Sequence, residues 1–203
     1  MKLKMYYLVY IINLFIFTIY LNTLNMKSSI THLLLLIALA IGSASLAQND
    51  PTLNQQKEAM KSLGDFMVGS WKGSGWTKNG QNPTSTFNSE ETIEYKNGGI
   101  TLLIQGASRL AESNELIHDA LAIMYYDVGS NTYQFDSHLA NGQHKVMVGT
   151  LTNNVFVWGF ELPNNAAIRY TTTFKDDTWN EVGEYTPDKV QYFKFFEMNL
   201  NKL

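Results

Sequence analysis

The sequence predicts an all-β protein, with about ten antiparallel strands in an up-and-down barrel and one short N-terminal helix. Three observations carry this prediction. Apolar and polar residues alternate along most of the chain after residue 69, turn signals recur about every 8–12 residues, and after residue 47 only one stretch has helical periodicity. Such short connections permit only antiparallel neighbours, and closing the sheet into a barrel removes its exposed edges.

The first 47 residues have the composition of an export signal. They hold Lys2, Lys4 and Lys27 and no acidic residue, whereas all 18 acidic residues follow them. The remainder has 12 basic residues and therefore a formal charge of −6, which argues against nucleic acid as a partner. The chain has no cysteine, which excludes disulfides, thiolate metal sites and the lipid anchor of a bacterial lipoprotein.

This composition divides the chain into three segments. Residues 26–47 are expected to be a signal peptide, because a short apolar core at 33–41 precedes the small residues of a cleavage site after Ala47. Residues 1–25 are expected to be a mis-called start or an extra hydrophobic leader, such as a first membrane helix. Residues 48–203 are expected to form the barrel domain, in the periplasm or outside the cell and without a stable membrane anchor.

Periodicity and turn chemistry place each element in order. Leu53, Met60 and Leu63 recur at helical spacing after Pro51, and Gly64 is expected to end this helix. Turn residues such as those at 97–99 and 141–142 then separate the strands. The ten strands are expected near residues 69–77, 84–95, 100–109, 118–127, 132–140, 144–151, 155–161, 166–175, 179–185 and 190–201. Bulky groups on both faces of the last strand favour a barrel with a lined cavity over a filled sandwich.

Several motifs resemble those of a known superfamily. The first strand contains Gly69, Trp71, Gly73 and Gly75 in a G-x-W-x-G-x-G pattern, which resembles the opening strand of the calycins: lipocalins, fatty-acid-binding proteins and nitrobindins. Trp71 is expected to plug one end of the barrel, while the glycines let the strand bend and pack closely. The segments FNSEETIEY, RY and FFEMNL follow in the order seen in nitrobindins and related bacterial proteins of unknown function. The resemblance spans nearly all of residues 48–203 and implies a calycin-like barrel.

The same resemblance bears on haem. Nitrobindins hold haem through a histidine in the last strand, five residues before a leucine. Counting back from Leu200 gives Phe195, which cannot ligate iron. No cofactor is therefore expected, and a haem- or nitrogen-oxide-binding protein is kept as an alternative.

The two arginines are the first candidates for ligand binding. Arg109 and Arg169 are the only arginines in the chain, and a guanidinium fork grips a carboxylate through two hydrogen bonds. Fatty-acid-binding proteins hold their ligand's head group with such an arginine. Arg169, and secondly Arg109, is expected to fix an anionic head group in the cavity; the alternative is an ion pair with Glu90, Glu91 or Glu184.

His138, Trp158 and Tyr126 complete the candidate ligand-binding residues. The two aromatic residues suit the wall of an apolar pocket or a plain core. His138 shares a strand face with Asp136, which is the beginning of a general-base arrangement or a hydrogen-bonded pair at the barrel mouth. His138 and His144 do not make a metal-binding spacing on one element, so no metal site is expected.

The sequence therefore predicts a periplasmic or secreted lipocalin-like protein that binds a small hydrophobic or amphipathic molecule in its barrel. No catalytic residue is assigned, because nucleophile and phosphate-loop motifs are absent. A barrel enzyme using His138 with Asp136, or a buried Glu90, is the second hypothesis. A filled barrel that serves as an interaction module is another. The lining of the barrel interior decides among them.

Overall fold

The computed structural model describes residues 50–80 and 82–203, so the expected leader and signal peptide lie outside the described residues. A helix, α1, is followed by ten strands and by a 3₁₀ turn at Asn97–Gly99 between the second and third strands. The elements are α1 (Pro51–Met67), β1 (Gly69–Thr77), β2 (Ser85–Lys96), β3 (Thr101–Leu110), β4 (Leu116–Asp127), β5 (Thr132–Leu139), β6 (His144–Thr152), β7 (Val155–Glu161), β8 (Ala167–Lys175), β9 (Thr178–Thr186) and β10 (Phe193–Lys202). Across these residues, no helix has the length and hydropathy needed to span a membrane.

The strands form one closed antiparallel barrel. Each strand pairs with its neighbours in the chain, and β1 pairs with β10 to close the ring. In β1, Trp71 lies opposite Lys202 of β10 and Glu91 of β2. The all-β, ten-stranded barrel with one short N-terminal helix is thus confirmed.

Helix α1 runs past the glycine that was expected to end it. Gly64 is buried within the helix, which continues to Met67. A Cβ atom on Gly64 would lie only 2.2 Å from the hydroxyl oxygen of Tyr95. The glycine is therefore explained by this close approach to a neighbouring ring, and the prediction of a helix end at Gly64 is wrong.

Helix α1 covers one end of the barrel, which we call the closed end. Its buried side chains Met60, Leu63 and Met67 belong to the hydrophobic core. The Tyr133 hydroxyl donates a hydrogen bond to the carbonyl oxygen of Ala59 at 2.7 Å. The indole nitrogen of the buried Trp71 donates to the carbonyl oxygen of Met67 at 2.7 Å. Trp71 therefore lies at the closed end, where the calycin resemblance placed it.

The glycines of β1 let this strand approach its neighbours closely. A Cβ atom on Gly73 would lie 2.0 Å from the carbonyl oxygen of Asn199, and one on Gly75 would lie 2.5 Å from the ring of Phe87. Phe87 in turn stacks on Phe196 with ring centroids 5.6 Å apart. Aromatic rings therefore fill part of the interior beside β1, β2 and β10.

Candidate functional site

A cavity of about 400 Å³ lies inside the barrel. Its wall is mainly apolar, because alternate residues of each strand point inward. Apolar lining residues include Ile104, Met124, Phe135, Met147, Phe156 and Met198. The volume falls within the range of small-molecule pockets. The barrel is therefore partly hollow, and a completely filled interior is excluded.

The cavity opens at the end of the barrel away from α1. His118, Gln143 and Lys145 line this open end and are exposed. The Lys145 ammonium lies 3.8 Å from the centroid of the Phe160 ring, which is within cation–π range. Partial desolvation at the barrel mouth lowers the pKa of His118, and the negative charge of Asp119 opposes this effect.

Two stacked aromatic rings form part of the cavity wall. Trp158 of β7 and Tyr170 of β8 have ring centroids 4.1 Å apart and nearly parallel planes. The Trp158 ring also meets Phe135 edge-on at 4.9 Å. Burial raises the pKa of the Tyr170 hydroxyl, and the nearby Glu181 raises it further. Contacts with Tyr170 and Phe135 therefore fix the orientation of the Trp158 ring in the cavity wall.

Two glutamates lie deep in this apolar space. Glu91 of β2 and Glu181 of β9 both line the cavity, near Met67 of α1 and Trp179. Trp71 at the closed end is paired with Glu91 in the β1–β2 register. Glu91 and Glu181, together with the Thr172 hydroxyl, therefore form the polar floor of the cavity.

Glu181 is the more buried of the two acids, with only 6% of its surface exposed. Its Oε2 accepts hydrogen bonds from the Thr172 hydroxyl at 2.7 Å and from the Trp179 indole nitrogen at 3.4 Å. Burial raises the pKa of Glu181, and the hydrogen bonds from Thr172, Trp179 and Trp158 partly oppose the rise.

Glu91 lies against the backbone of β3. A Cβ atom on Gly106, its partner in β3, would lie 2.3 Å from Oε2 of Glu91, so the glycine makes room for the carboxyl group. Burial, with a smaller contribution from the charge of Glu181, raises the pKa of Glu91 to about 8; a hydrogen bond from Ser89 acts in the opposite direction. At neutral pH the Glu91 carboxyl is therefore largely protonated.

Neither acid has a cationic partner within residues 50–80 and 82–203. The ion pairs of these residues involve neither Glu91 nor Glu181. A buried charge without a partner is costly, and a protonated carboxyl avoids that cost while remaining able to donate a hydrogen bond. The floor therefore favours a ligand group that accepts a hydrogen bond from a protonated carboxyl group or that carries a positive charge.

The structure places both arginines outside the cavity, contrary to the expectation that one would bind a head group there. Arg169 of β8 faces outward because its neighbour Tyr170 faces inward. Its Nε and Nη2 atoms donate to Glu184 at 3.2 and 2.7 Å, and its guanidinium carbon lies 3.7 Å from the Tyr192 ring centroid. Arg109 donates through Nη1 to the carbonyl oxygen of Asn114 at 3.1 Å. The ion-pair alternative, with Glu184, holds for Arg169.

The other candidates divide between the inside and the outside of the barrel. Trp158 lines the cavity. Tyr126 packs edge-on against Tyr133 beside the closed end, and it is not among the lining residues of the cavity. His138 and Asp136 alternate with inward-facing residues of β5 and therefore lie on the outer surface. Proton transfer inside the barrel by this pair is excluded.

The buried acid of β2 is the neighbour of the one proposed from the sequence. Glu90 is exposed and binds Lys72 at 2.6 Å on the outer face, whereas Glu91 faces the cavity. The alternation of side chains along β2 indicates that Glu91 points inward, since Phe87 and Ile93 are buried on the same side of the strand. Glu181 likewise shares its parity with the buried Trp179. An acid at an inward position of an apolar strand face was the signal that sequence reasoning missed.

The structure also joins three outer residues that the sequence leaves apart. Asp136 and His138 of β5 meet His144 of β6, and one ligand atom of each lies within 4.8 Å of the others. His138 and His144 are direct partners in the β5–β6 register. A search for metal-ligand spacing within one element cannot find a pair made across two strands.

The cavity does not fit haem held in the manner of nitrobindins. The last strand carries Phe195 at the position of the expected histidine, and of the histidines in the described part of the chain only His118 lines the cavity. His118 belongs to β4 and lies at the open end.

Comparisons with known proteins bear on the fold. No protein-family model and no curated protein sequence matches the chain. The crystal structure of Rv2717c from M. tuberculosis matches with a TM-score of 0.54 and 15% sequence identity, covering 76% of this chain and 98% of that one. The fold is calycin-like. The S-type phycobiliprotein lyase CPES from Guillardia theta matches with a TM-score of 0.47 and 14% identity, over 72% of this chain and 90% of that one.

Proposed function

We propose that the protein binds a small, mostly apolar ligand inside the barrel, and that the ligand's polar group is a basic nitrogen placed against Glu91 and Glu181. The protein is further proposed to act in the periplasm or outside the cell, as the composition of residues 1–47 indicates. The observation that carries the proposal is the pair of buried carboxyl groups on the floor of a hollow apolar barrel, without a cation of the protein beside them.

The apolar wall would supply most of the affinity. Removing apolar ligand surface from water contributes about 25 cal/mol per Å², and the aromatic lining residues Phe135, Phe156 and Trp158 suit an aromatic or planar ligand. The wall does not discriminate among ligands of the same shape. Selectivity would come from the polar floor.

The floor selects for positive charge and against negative charge. An ammonium group beside Glu91 would favour ionisation of that carboxyl and replace two separate unfavourable desolvations by one hydrogen-bonded pair. A carboxylate ligand could accept a hydrogen bond from a protonated acid, but its charge would be buried without a cation at this depth, since Lys145 and His118 lie at the open end. The earlier expectation of an anionic head group is therefore replaced by a cationic one.

The test uses three ligands with one naphthalene ring and different polar groups: 2-naphthylmethylamine, 2-naphthalenemethanol and 2-naphthoate. Isothermal titration calorimetry at pH 7.5 is expected to show the amine binding tighter than the alcohol by about tenfold or more, the range of a hydrogen bond to a charged group. The carboxylate is expected to bind weakest. Equal affinities, or tightest binding of the carboxylate, would contradict the proposal.

Substitutions at the floor separate charge recognition from simple burial. E91Q and E181Q keep the size of the side chains, so each is expected to abolish most of the amine's advantage and to change the affinity for the alcohol little. E90Q is the matched control, because Glu90 is adjacent in sequence and lies on the outer face with Lys72. An equal loss in E90Q would show that the effect does not arise in the cavity.

A further inference from the structure

A second cluster of polar side chains lies on the outer face of the barrel, on the β5–β6 hairpin. It consists of Asp136, His138 and His144, whose ligand atoms lie within 4.8 Å of one another. Nε2 of His138 is 3.4 Å from Oδ1 of Asp136, and Nε2 of His144 contacts the same oxygen. Two imidazole nitrogens and a carboxylate oxygen thus lie close together on the outer face.

The hairpin fixes this arrangement through its backbone. Gln143 N–H donates to the Asn141 side chain, and Leu139 N–H donates to the carbonyl oxygen of Gln143, which closes the turn. This short turn sets the register in which His138 and His144 face each other. Their rings stack with centroids 4.6 Å apart and planes 24° apart. The ligands are therefore held close together on two paired strands.

We propose that Asp136, His138 and His144 form a binding site for a divalent transition-metal ion, with Zn²⁺ as the reference ion. A tetrahedral zinc with bonds of about 2.0–2.1 Å requires its ligand atoms to lie about 3.3 Å apart. The 3.4 Å between His138 and Asp136 already meets this requirement. Rotation of exposed side chains brings the remaining distances, none above 4.8 Å, into the same range.

The donor set selects the class of ion. Two imidazoles and one carboxylate suit Zn²⁺, Cu²⁺ and Ni²⁺, whereas Ca²⁺ and Mg²⁺ prefer sites made of oxygen atoms. Three protein ligands leave one coordination position for water or for a donor from another molecule. Leu121 and Ile123 lie beside the cluster in the register of β4 with β5. Both neighbours are exposed apolar side chains.

Zinc binding is measured by isothermal titration calorimetry on the purified protein. One equivalent of Zn²⁺ is expected to bind with a dissociation constant on the order of 1–10 µM, weaker than four-ligand structural sites. H138A and H144A are each expected to weaken binding more than about tenfold, since even loss of a residue behind the ligands costs about 10–100-fold. H118A is the matched control, because His118 lies on β4 at the cavity opening, and its zinc affinity is expected to stay unchanged.

A spectroscopic measurement identifies the ligands directly. The electron paramagnetic resonance spectrum of the Cu²⁺-loaded protein is expected to show coupling to two imidazole nitrogens, and H138A to show one. Because His138 and His144 are exposed, the variants are expected to keep the wild-type melting temperature without metal. Absence of zinc binding at about 100 µM, retention of full affinity in H138A and H144A, or an equal loss in H118A would overturn the proposal.

Discussion

Replacement of Glu91 by glutamine is expected to change how the stability of the protein depends on pH. Burial raises the pKa of Glu91 from 4.5 to about 8 in the folded protein. Between these values the folded state holds a proton that the unfolded state releases, so the free energy of unfolding falls as pH rises. The stability that the protonated Glu91 confers on the fold is fully present below about pH 4.5 and is lost as the pH rises through about 8.

The magnitude follows from the size of the pKa difference. Each pKa unit corresponds to about 1.4 kcal/mol, so ionising Glu91 in the fold costs at most about 5 kcal/mol, and water entering the cavity reduces this cost. E91Q cannot ionise. Relative to the wild type, E91Q is expected to gain up to about 1.4 kcal/mol of stability per pH unit between pH 5 and 8.

The assay is urea denaturation followed by tryptophan fluorescence at pH 5, 6, 7, 8 and 9. E90Q is the matched control, because Lys72 lowers the pKa of Glu90 and this carboxylate stays ionised across the range. Glu181 and His118 also have altered pKa values; both are present in every variant, so they enter the difference only through the coupling of Glu181 to Glu91. Parallel curves for the wild type and E91Q would refute the assignment of Glu91 as a buried, protonated acid.

Three further predictions concern packing and the outer face. G73A is expected to destabilise the protein by about 3 kcal/mol or more, since its Cβ would lie 2.0 Å from the backbone oxygen of Asn199; urea denaturation measures this. G106A is expected to displace the Glu91 carboxyl, which its Cβ would approach to 2.3 Å, and to weaken binding of 2-naphthylmethylamine more than that of 2-naphthalenemethanol in calorimetry. R169A is expected to leave the affinity for all three naphthalene ligands within about twofold, because Arg169 lies outside the cavity.

Each of these predictions has an outcome that contradicts it. The control for G73A is G129A, because a Cβ on Gly129 has its nearest contact at 3.4 Å; equal stability of the two variants would contradict the close approach of β1 and β10. An equal loss of amine and alcohol binding in G106A would point to general disruption of the wall. A large loss in R169A would restore the arginine as a ligand-binding residue.

The fold was predictable because its signals are local. Two-residue alternation and turn residues, such as those around Asn141 and Gly142, mark strands and hairpins wherever they occur. The role of Gly64 was not predictable, because it depends on a contact that is distant in the sequence. A glycine at a helix end and a glycine beneath a neighbouring ring look the same in sequence, and only the contact with Tyr95 distinguishes them.

The candidate site was predictable only in part. The apolar lining and Trp158 follow from the alternation of side chains along each strand, and the inward positions of Glu91 and Glu181 follow from the same alternation. The rarity of arginine in the sequence does not indicate on which side of a strand its side chain lies. Arg169 has the parity of the outer face, opposite to its inward neighbour Tyr170.

The contact between His138 and His144 across two strands could not be predicted from the sequence. His138 and His144 are six positions apart, and they become neighbours only through the β5–β6 register. That register depends on the length of the hairpin turn. A one-residue change in the turn would move one imidazole to the inner face, so the cluster cannot be inferred from residue spacing alone.

The number of protons released when 2-naphthylmethylamine binds tests the central claim most directly. Calorimetric titrations at pH 7 in two buffers with different ionisation enthalpies give this number. With the pKa of Glu91 at about 8, about nine tenths of the free protein carries that proton at pH 7, and pairing with the ammonium group would expel it. Release of close to one proton by the wild type, and of almost none by E91Q, is the predicted result. Amine binding without proton release, or the same release in both proteins, would contradict a binding site built on a buried neutral acid.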